Sequence, residues 1–179
     1  MSDLYTLATR LVSACDTANI RLATAESCTG GLVAGAITEV PGSSAVFDRG
    51  FVTYSNQAKM DMLGVEAEAI QQHGAVSHEV ALQMAIGAIV HSHADLSVAV
   101  TGIAGPGGGT TAKPVGLVHV ALARRGEDEA LGAGERRLVL DDTFTTGGRS
   151  AVRLATVRTA LQLLLEAASL PSATRSLEP

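Results

Sequence analysis

Twice in this chain a strand-like run leads directly into a cluster of glycine, and those two junctions constrain the fold more than any other feature. Ile20 to Ala25 leads to Ser27-Cys28-Thr29-Gly30-Gly31 and then to a run of small residues that reads as a helix to about Thr38. Leu96 to Thr101 reads as a buried strand and runs into Gly102-Ile103-Ala104-Gly105-Pro106-Gly107-Gly108-Gly109, which is too rich in glycine for regular structure. Strand, turn and helix in that order is the unit of α/β layering, and such sheets carry their ligand loops where strands end. The glycine-rich stretch is therefore the expected rim of a site.

The remaining elements fit around these two. Leu4, Leu7, Ala8, Leu11, Val12 and Cys15 recur at helical spacing between Asp3 and Asn19. After the loop Pro41-Gly42-Ser43-Ser44, the segment from Ala45 to Tyr54 is strand-like, and Asn56 is the expected cap of a helix that carries Lys59 and ends near Leu63-Gly64. A short helix is expected from Glu66 to Gln72. A longer one, capped by Ser77, shows a stripe of Ala81, Met84, Ala85, Ala88 and Ile89 and ends near Ser92. Val115 to Ala123 and Glu135 to Leu140 read as strands joined by the charged turn from Arg124 to Gly134, which favours an antiparallel pair and makes the sheet mixed. The last helix is expected from Gly148 to Ala168, with Leu154, Val157, Leu161, Leu164 and Leu165 as its stripe, and Ser169 to Pro179 is expected to be a loose tail. With 179 residues the reading is one α/β domain, residues 1–168, followed by the tail 169–179.

A net charge of −5 and a pI near 5.5 argue against a general nucleic-acid binder and for a small ligand. Cys15 and Cys28 are the only cysteines, and the start of the chain lacks the pattern of a signal peptide, so cytoplasmic location is the default. The apolar segment from Val80 to Val90 is shorter than the ~20 residues a membrane span requires. Neither cysteines nor histidines show metal-ligand spacing, so no metal is expected. Gly107 is followed by Gly108 and Gly109 where a Walker loop needs Lys and Ser or Thr, and Gly105-Pro106-Gly107 lacks the spacing of a dinucleotide fingerprint, so no cofactor is expected either.

Ser27 lies between a strand and a helix, where its hydroxyl would stand at a positively polarised helix end, with N–H groups of Thr29, Gly30 and Gly31 placed to act as an oxyanion hole. The same position suits a plain helix cap, and spacing alone favours the cap. A nucleophilic serine needs a base, yet His73, His78, His91, His93 and His119 all lack a loop rich in polar partners. Lys59 is the alternative base. A free lysine has a pKa of ~10.4, and bringing it near neutrality takes about 4 kcal/mol of differential environment, so the site would have to desolvate it. In isolation Lys59 reads as an ordinary surface lysine. Arg149 and Arg153, four residues apart at the start of the last helix, suit a phosphate or a solvated face. Lys113 could add charge to the glycine-rich loop, and Tyr54 could stack on a ligand or pack in the core.

Taken together, the motifs resemble the CinA C-terminal domain family over roughly residues 5 to 168. The resemblance is carried by Ala25-Glu26-Ser27-Cys28-Thr29-Gly30-Gly31, Tyr54-Ser55-Asn56 with Lys59 and Leu63-Gly64-Val65, and Gly74-Ala75-Val76-Ser77. Further on it rests on Thr101-Gly102-Ile103-Ala104-Gly105-Pro106-Gly107-Gly108, Lys113-Pro114-Val115-Gly116, and Gly148-Arg149 with Val152-Arg153. It implies a three-layer α/β/α domain with a mixed sheet, and hydrolysis of nicotinamide mononucleotide to nicotinic acid mononucleotide and ammonia without metal. By motif, Ser27 is then the nucleophile and Lys59 its base, while Thr101, Gly102, Gly105, Gly107 and Arg149 would hold the nucleotide. Many family members carry an additional N-terminal domain for which this chain has no room, and Gly147-Gly148 stand before Arg149 where an acidic residue is frequent. Two rivals stay open: a pyridine-nucleotide-binding regulatory domain without turnover, and an enzyme in which Cys28 is the nucleophile and Ser27 only a cap. A homodimer is the expected assembly, being the commonest.

Overall fold

Three parallel strands end at one edge of the sheet, and that alignment builds the site. In the computed structural model, which describes residues 2–126, 132–139 and 146–169, β1 (Leu22–Glu26) lies between β2 (Phe47–Val52) and β3 (Leu96–Gly102). Its last residue, Glu26, pairs with Val52 on one side and Val100 on the other, both in parallel register. The loops that leave these strands therefore emerge side by side. β4 (Leu117–Arg124) and β5 (Gly132–Val139) continue the sheet as antiparallel neighbours, in the order β2-β1-β3-β4-β5, so the sheet is mixed as the turn chemistry foretold.

Side chains alternate between the faces of this sheet. Leu22, Leu96, Val98, Val100, Val118 and Val120 point to one side, where they pack with α1 (Ser2–Ala18), α2 (Leu32–Thr38) and the final helix α6 (Gly148–Ser169). Ala23, Ala25, Ala99, Ala121 and Ala123 point to the other, against α3 (Asn56–Leu63), α4 (Ala67–His73) and α5 (His78–Val90). Helices cover both faces, which gives the three-layer α/β/α architecture. On the alanine face Ser97 is buried among the strands, and its hydroxyl donates to the Ala85 carbonyl of α5 at 2.7 Å, tying helix to sheet.

Element boundaries shift from the sequence reading for identifiable reasons. Ile20 closes α1 instead of opening β1: Asn19 takes a left-handed φ of 53° and the Ile20 N–H bonds back to the Cys15 carbonyl at 2.9 Å. β2 begins at Phe47 because Ser43–Ala45 form a 3₁₀ turn. The cap of α3 is Ser55, whose Oγ accepts from the Ala58 N–H at 3.0 Å; Asn56, the expected cap, is the first helical residue. Ser77 caps α5 as expected. Leu140 and the tail from residue 170 onward lie outside the described residues.

Candidate active site

Ser27 continues the alternation of β1 onto the alanine face, following Ala23 and Ala25, and its N–H extends the pairing with β3 by donating to Val100 O at 3.0 Å. The first turns of α3 place Lys59 on the same side. Its Nζ lies 3.0 Å from Ser27 Oγ and 2.7 Å from the Thr53 carbonyl, and Thr53 is itself held beside β1 by an N–H donated to Glu26 O at 2.8 Å. Lys59 is 1% exposed, and burial pushes its pKa down, with the neighbouring Cys28 thiol a smaller opposing influence. Both of these partners of Nζ are uncharged when the serine is protonated. An amine so placed meets the two demands on a base: contact with the proton it must take, and an environment that disfavours its own charge.

The loop after Ser27 differs from the sequence expectation. Ser27 is not a helix cap, because α2 starts only at Leu32, with Gly31 at φ 95° as N-cap and no side-chain cap. The amides at that helix start are taken by Glu26, which sequence reasoning passed over: its carboxylate accepts from the N–H groups of Gly31 at 3.0 Å, Val33 at 3.0 Å and Ala34 at 2.8 Å. Gly31 therefore does not offer its N–H to a substrate, and the Gly30 N–H closes a turn on Ser27 O at 3.1 Å. Of the three amides expected to form the oxyanion hole, that of Thr29 has no hydrogen-bond partner among the described residues. A signal for Glu26 existed in the sequence: an acid between a buried strand and a run of small helix-forming residues sits where a carboxylate is best placed to meet free amides.

Arg153, whose role spacing left open, is also part of this loop. From α6 its Nε donates to Cys28 O at 3.1 Å and its Nη2 to Thr29 O at 2.7 Å. The Cys28 side chain faces the opposite core, on the side of α1, α2 and α6, and burial pushes its thiol up to about 11. A thiol held protonated is a poor nucleophile, which weighs against the reading that made Cys28 the attacking group.

At the rim, Arg149 of α6 donates from Nη1 to Gly105 O at 3.0 Å and from Nη2 to the Tyr54 hydroxyl at 2.7 Å. Tyr54 is 62% exposed, so it is a rim residue and not a core one. Gly105 has φ 80°, and a Cβ there would meet Val115 Cγ1 at 2.6 Å, so only glycine fits. The structure thus joins Tyr54, Gly105 and Arg149 in one chain of hydrogen bonds. Thr101 and Lys113 have other engagements. Thr101 Oγ1 donates to Ala75 O at 2.8 Å, and Lys113 Nζ donates to His73 O at 2.5 Å and Val76 O at 2.7 Å. Thr101 thus ties the turn before α5 to the end of β3, and Lys113 ties it to the segment that follows the glycine-rich loop. Gly102 ends β3, where a Cβ would meet Val118 Cγ2 at 2.8 Å, whereas Gly107 faces open space. Among the described residues no group of three or more His, Cys, Asp or Glu side chains could hold a metal ion, and no helix is long and apolar enough to cross a membrane.

Comparison with known proteins agrees with this architecture. The chain is 48% identical over 163 residues to the nicotinamide-nucleotide amidohydrolase PncC of Escherichia coli K12, covering 91% of this chain and 93% of that one. It superposes with a TM-score of 0.85 on the crystal structure of the competence/damage inducible protein CihA from Agrobacterium tumefaciens, at 52% identity, over 92% of this chain and 94% of that chain. Other curated relatives are longer: the chain spans 33% of one from Acetivibrio thermocellus, to which it is 50% identical over 146 residues. The profile of the CinA C-terminal domain matches residues 4–168, and the chain belongs to that family.

Proposed function

We propose that this protein is an amidohydrolase that converts nicotinamide mononucleotide to nicotinic acid mononucleotide and ammonia through a Ser27–Lys59 dyad. The observation that carries the mechanism is the buried Lys59 Nζ, 3.0 Å from Ser27 Oγ. The choice of substrate rests on the likeness to PncC, whose name specifies a nicotinamide nucleotide. A protein that only bound the nucleotide would have no use for a lysine whose charge is disfavoured by burial.

In the proposed reaction, neutral Lys59 takes the Ser27 proton as Oγ attacks the carboxamide carbon. The Thr53 carbonyl accepts a hydrogen bond from the same Nζ and orients the amine. The developing oxyanion is met by the Thr29 N–H. Lys59, now protonated, gives its proton to the departing ammonia, and water then cleaves the acyl-serine with Lys59 again as base. Arg149 has donors left beyond those it gives to Gly105 and Tyr54, and these receive the 5′-phosphate. The direct test is ammonia release from nicotinamide mononucleotide by purified protein, with nicotinamide as control. Full activity in Ser27→Ala would remove the nucleophile from the scheme, and absence of release from the nucleotide would remove the substrate.

A further inference from the structure

Two charged side chains from different elements grip the short segment between Ser27 and α2. Glu26 takes the amides of Gly31, Val33 and Ala34 on the helix side, and Arg153 takes the carbonyls of Cys28 and Thr29. A planar trans peptide points its C=O and N–H in opposite directions. Fixing the Cys28 carbonyl on Arg153 therefore fixes the Thr29 N–H pointing away from the guanidinium. That N–H is the one expected oxyanion donor with no partner among the described residues. The guanidinium also borders the loop at Gly30: a Cβ there would lie in ordinary contact, 3.5 Å from Arg153 Nη2, while the φ of 60° at Gly30 is one that glycine adopts without strain.

We infer that Arg153 is a positioning residue for the oxyanion donor and not part of the phosphate site beside its helical neighbour Arg149. It acts through the Cys28–Thr29 peptide without touching substrate. Removing it frees that peptide to rotate, and the transition state loses a preorganised hydrogen bond while ground-state binding is unchanged. The inference rests on the Ser27–Lys59 reading given above.

The test compares Arg153→Ala and Arg153→Lys with the parent protein and with Ser27→Ala, using nicotinamide mononucleotide and its phosphate-free riboside, with thermal unfolding as a check on folding. Arg153→Ala should lower kcat about 100-fold, with KM within about twofold and the nucleotide-to-riboside preference unchanged. Arg153→Lys, which can reach only one carbonyl well, should fall between it and the parent; it carries the test alone if the alanine variant fails to fold. The midpoint of the pH profile should stay in place, because Lys59 is not what Arg153 holds. A raised KM with unchanged kcat, a loss confined to the phosphorylated substrate, or a displaced pH midpoint would overturn the inference. Full activity in Ser27→Ala would instead sink the dyad on which it rests.

Discussion

The two faces of the sheet are built to different rules. On the side of α1, α2 and α6 the strands present Leu and Val; on the side of α3, α4 and α5 they present a patch of alanines. Large aliphatic side chains maximise buried apolar area, at roughly 25 cal/mol per Å², and they hold their helices off the sheet. Alanines bury less per residue but let a helix approach closely. Within this layer the helices also pack closely on one another: at Gly87 of α5 a Cβ would meet the carbonyl carbon of Leu63, the last residue of α3, at 2.8 Å and its oxygen closer still. Through Leu63 this contact fixes the end of α3, the helix that carries Lys59. One face thus supplies most of the apolar burial, and the thin face brings a lysine within reach of a serine at the end of β1.

The largest effect is expected from changing the chemistry of the thin face without changing its shape. Lys59→Arg should lower kcat by roughly 10³-fold or more, as badly as Lys59→Ala, because a guanidinium keeps the charge but does not give up its proton. Ser27→Ala should match both, since members of one catalytic unit are not additive. Lys59 has a folded pKa below its ordinary value, so kcat/KM should rise with pH as the neutral amine is populated. The same shift has a stability counterpart. Between the lowered folded pKa and the unfolded value of ~10.4 the unfolded chain binds the extra proton, so unfolding free energy should rise with pH across that window and lose this slope in Lys59→Met. Near-normal kcat in Lys59→Arg would make the residue a fixed charge and remove it as the base.

Next come two tests of the packing contrast. Gly87→Ala places a methyl against backbone that cannot rotate aside, and should cost about 3 kcal/mol in denaturant unfolding, with activity falling as α3 is displaced. The adjacent residues Val98 and Ala99 point to opposite faces and sharpen the point. Val98→Ala should cost about 2 kcal/mol, counting two methylene equivalents at ~0.8 each and a small cavity, with kcat retained. Ala99→Val should cost a comparable 1–3 kcal/mol by overpacking, yet reduce kcat, because it pushes α5 from the sheet. If the two variants affected kcat alike, the division of labour between the faces would be wrong.

Much of the fold was legible because its strands alternate and its helices are periodic: the element order, the antiparallel β4–β5 pair and the mixed sheet all follow from local pattern. Boundaries moved where a side chain or turn competed locally, as with Ser55 in place of Asn56. The proximity of Ser27 and Lys59 was legible only as a family resemblance, since spacing alone favoured a cap and a surface lysine. Their contact depends on β1 and β2 being parallel neighbours ending in register, and short patterns do not encode strand order. The hydrogen-bond partners of Glu26 and Lys113 were not legible for a related reason. The partners of each are main-chain groups, which carry no residue type: the amides of α2 for one, the carbonyls of His73 and Val76 for the other.

The smallest expected effect lies where the two layers meet over the end of the sheet. Arg149 belongs to α6 on the Leu and Val side, Tyr54 to the connection that leads into α3 on the alanine side, and their hydrogen bond of 2.7 Å joins the layers at the rim. Arg149→Ala removes the proposed phosphate ligand and should raise KM about tenfold, equivalent to ~1.4 kcal/mol, with little change in kcat. Tyr54→Phe removes only a hydroxyl from an exposed ring, and should raise KM about threefold by loosening the guanidinium; neither change should shift thermal stability appreciably, since both residues are exposed. The double variant decides what the bond does. If Tyr54 acts by orienting Arg149, the hydroxyl has no further effect once the guanidinium is gone, so the double variant should match Arg149→Ala, with a coupling of about 0.6 kcal/mol from the threefold term. Multiplicative losses, near thirtyfold in KM, would show instead that Tyr54 contacts the nucleotide on its own account and that the two layers contribute to binding independently.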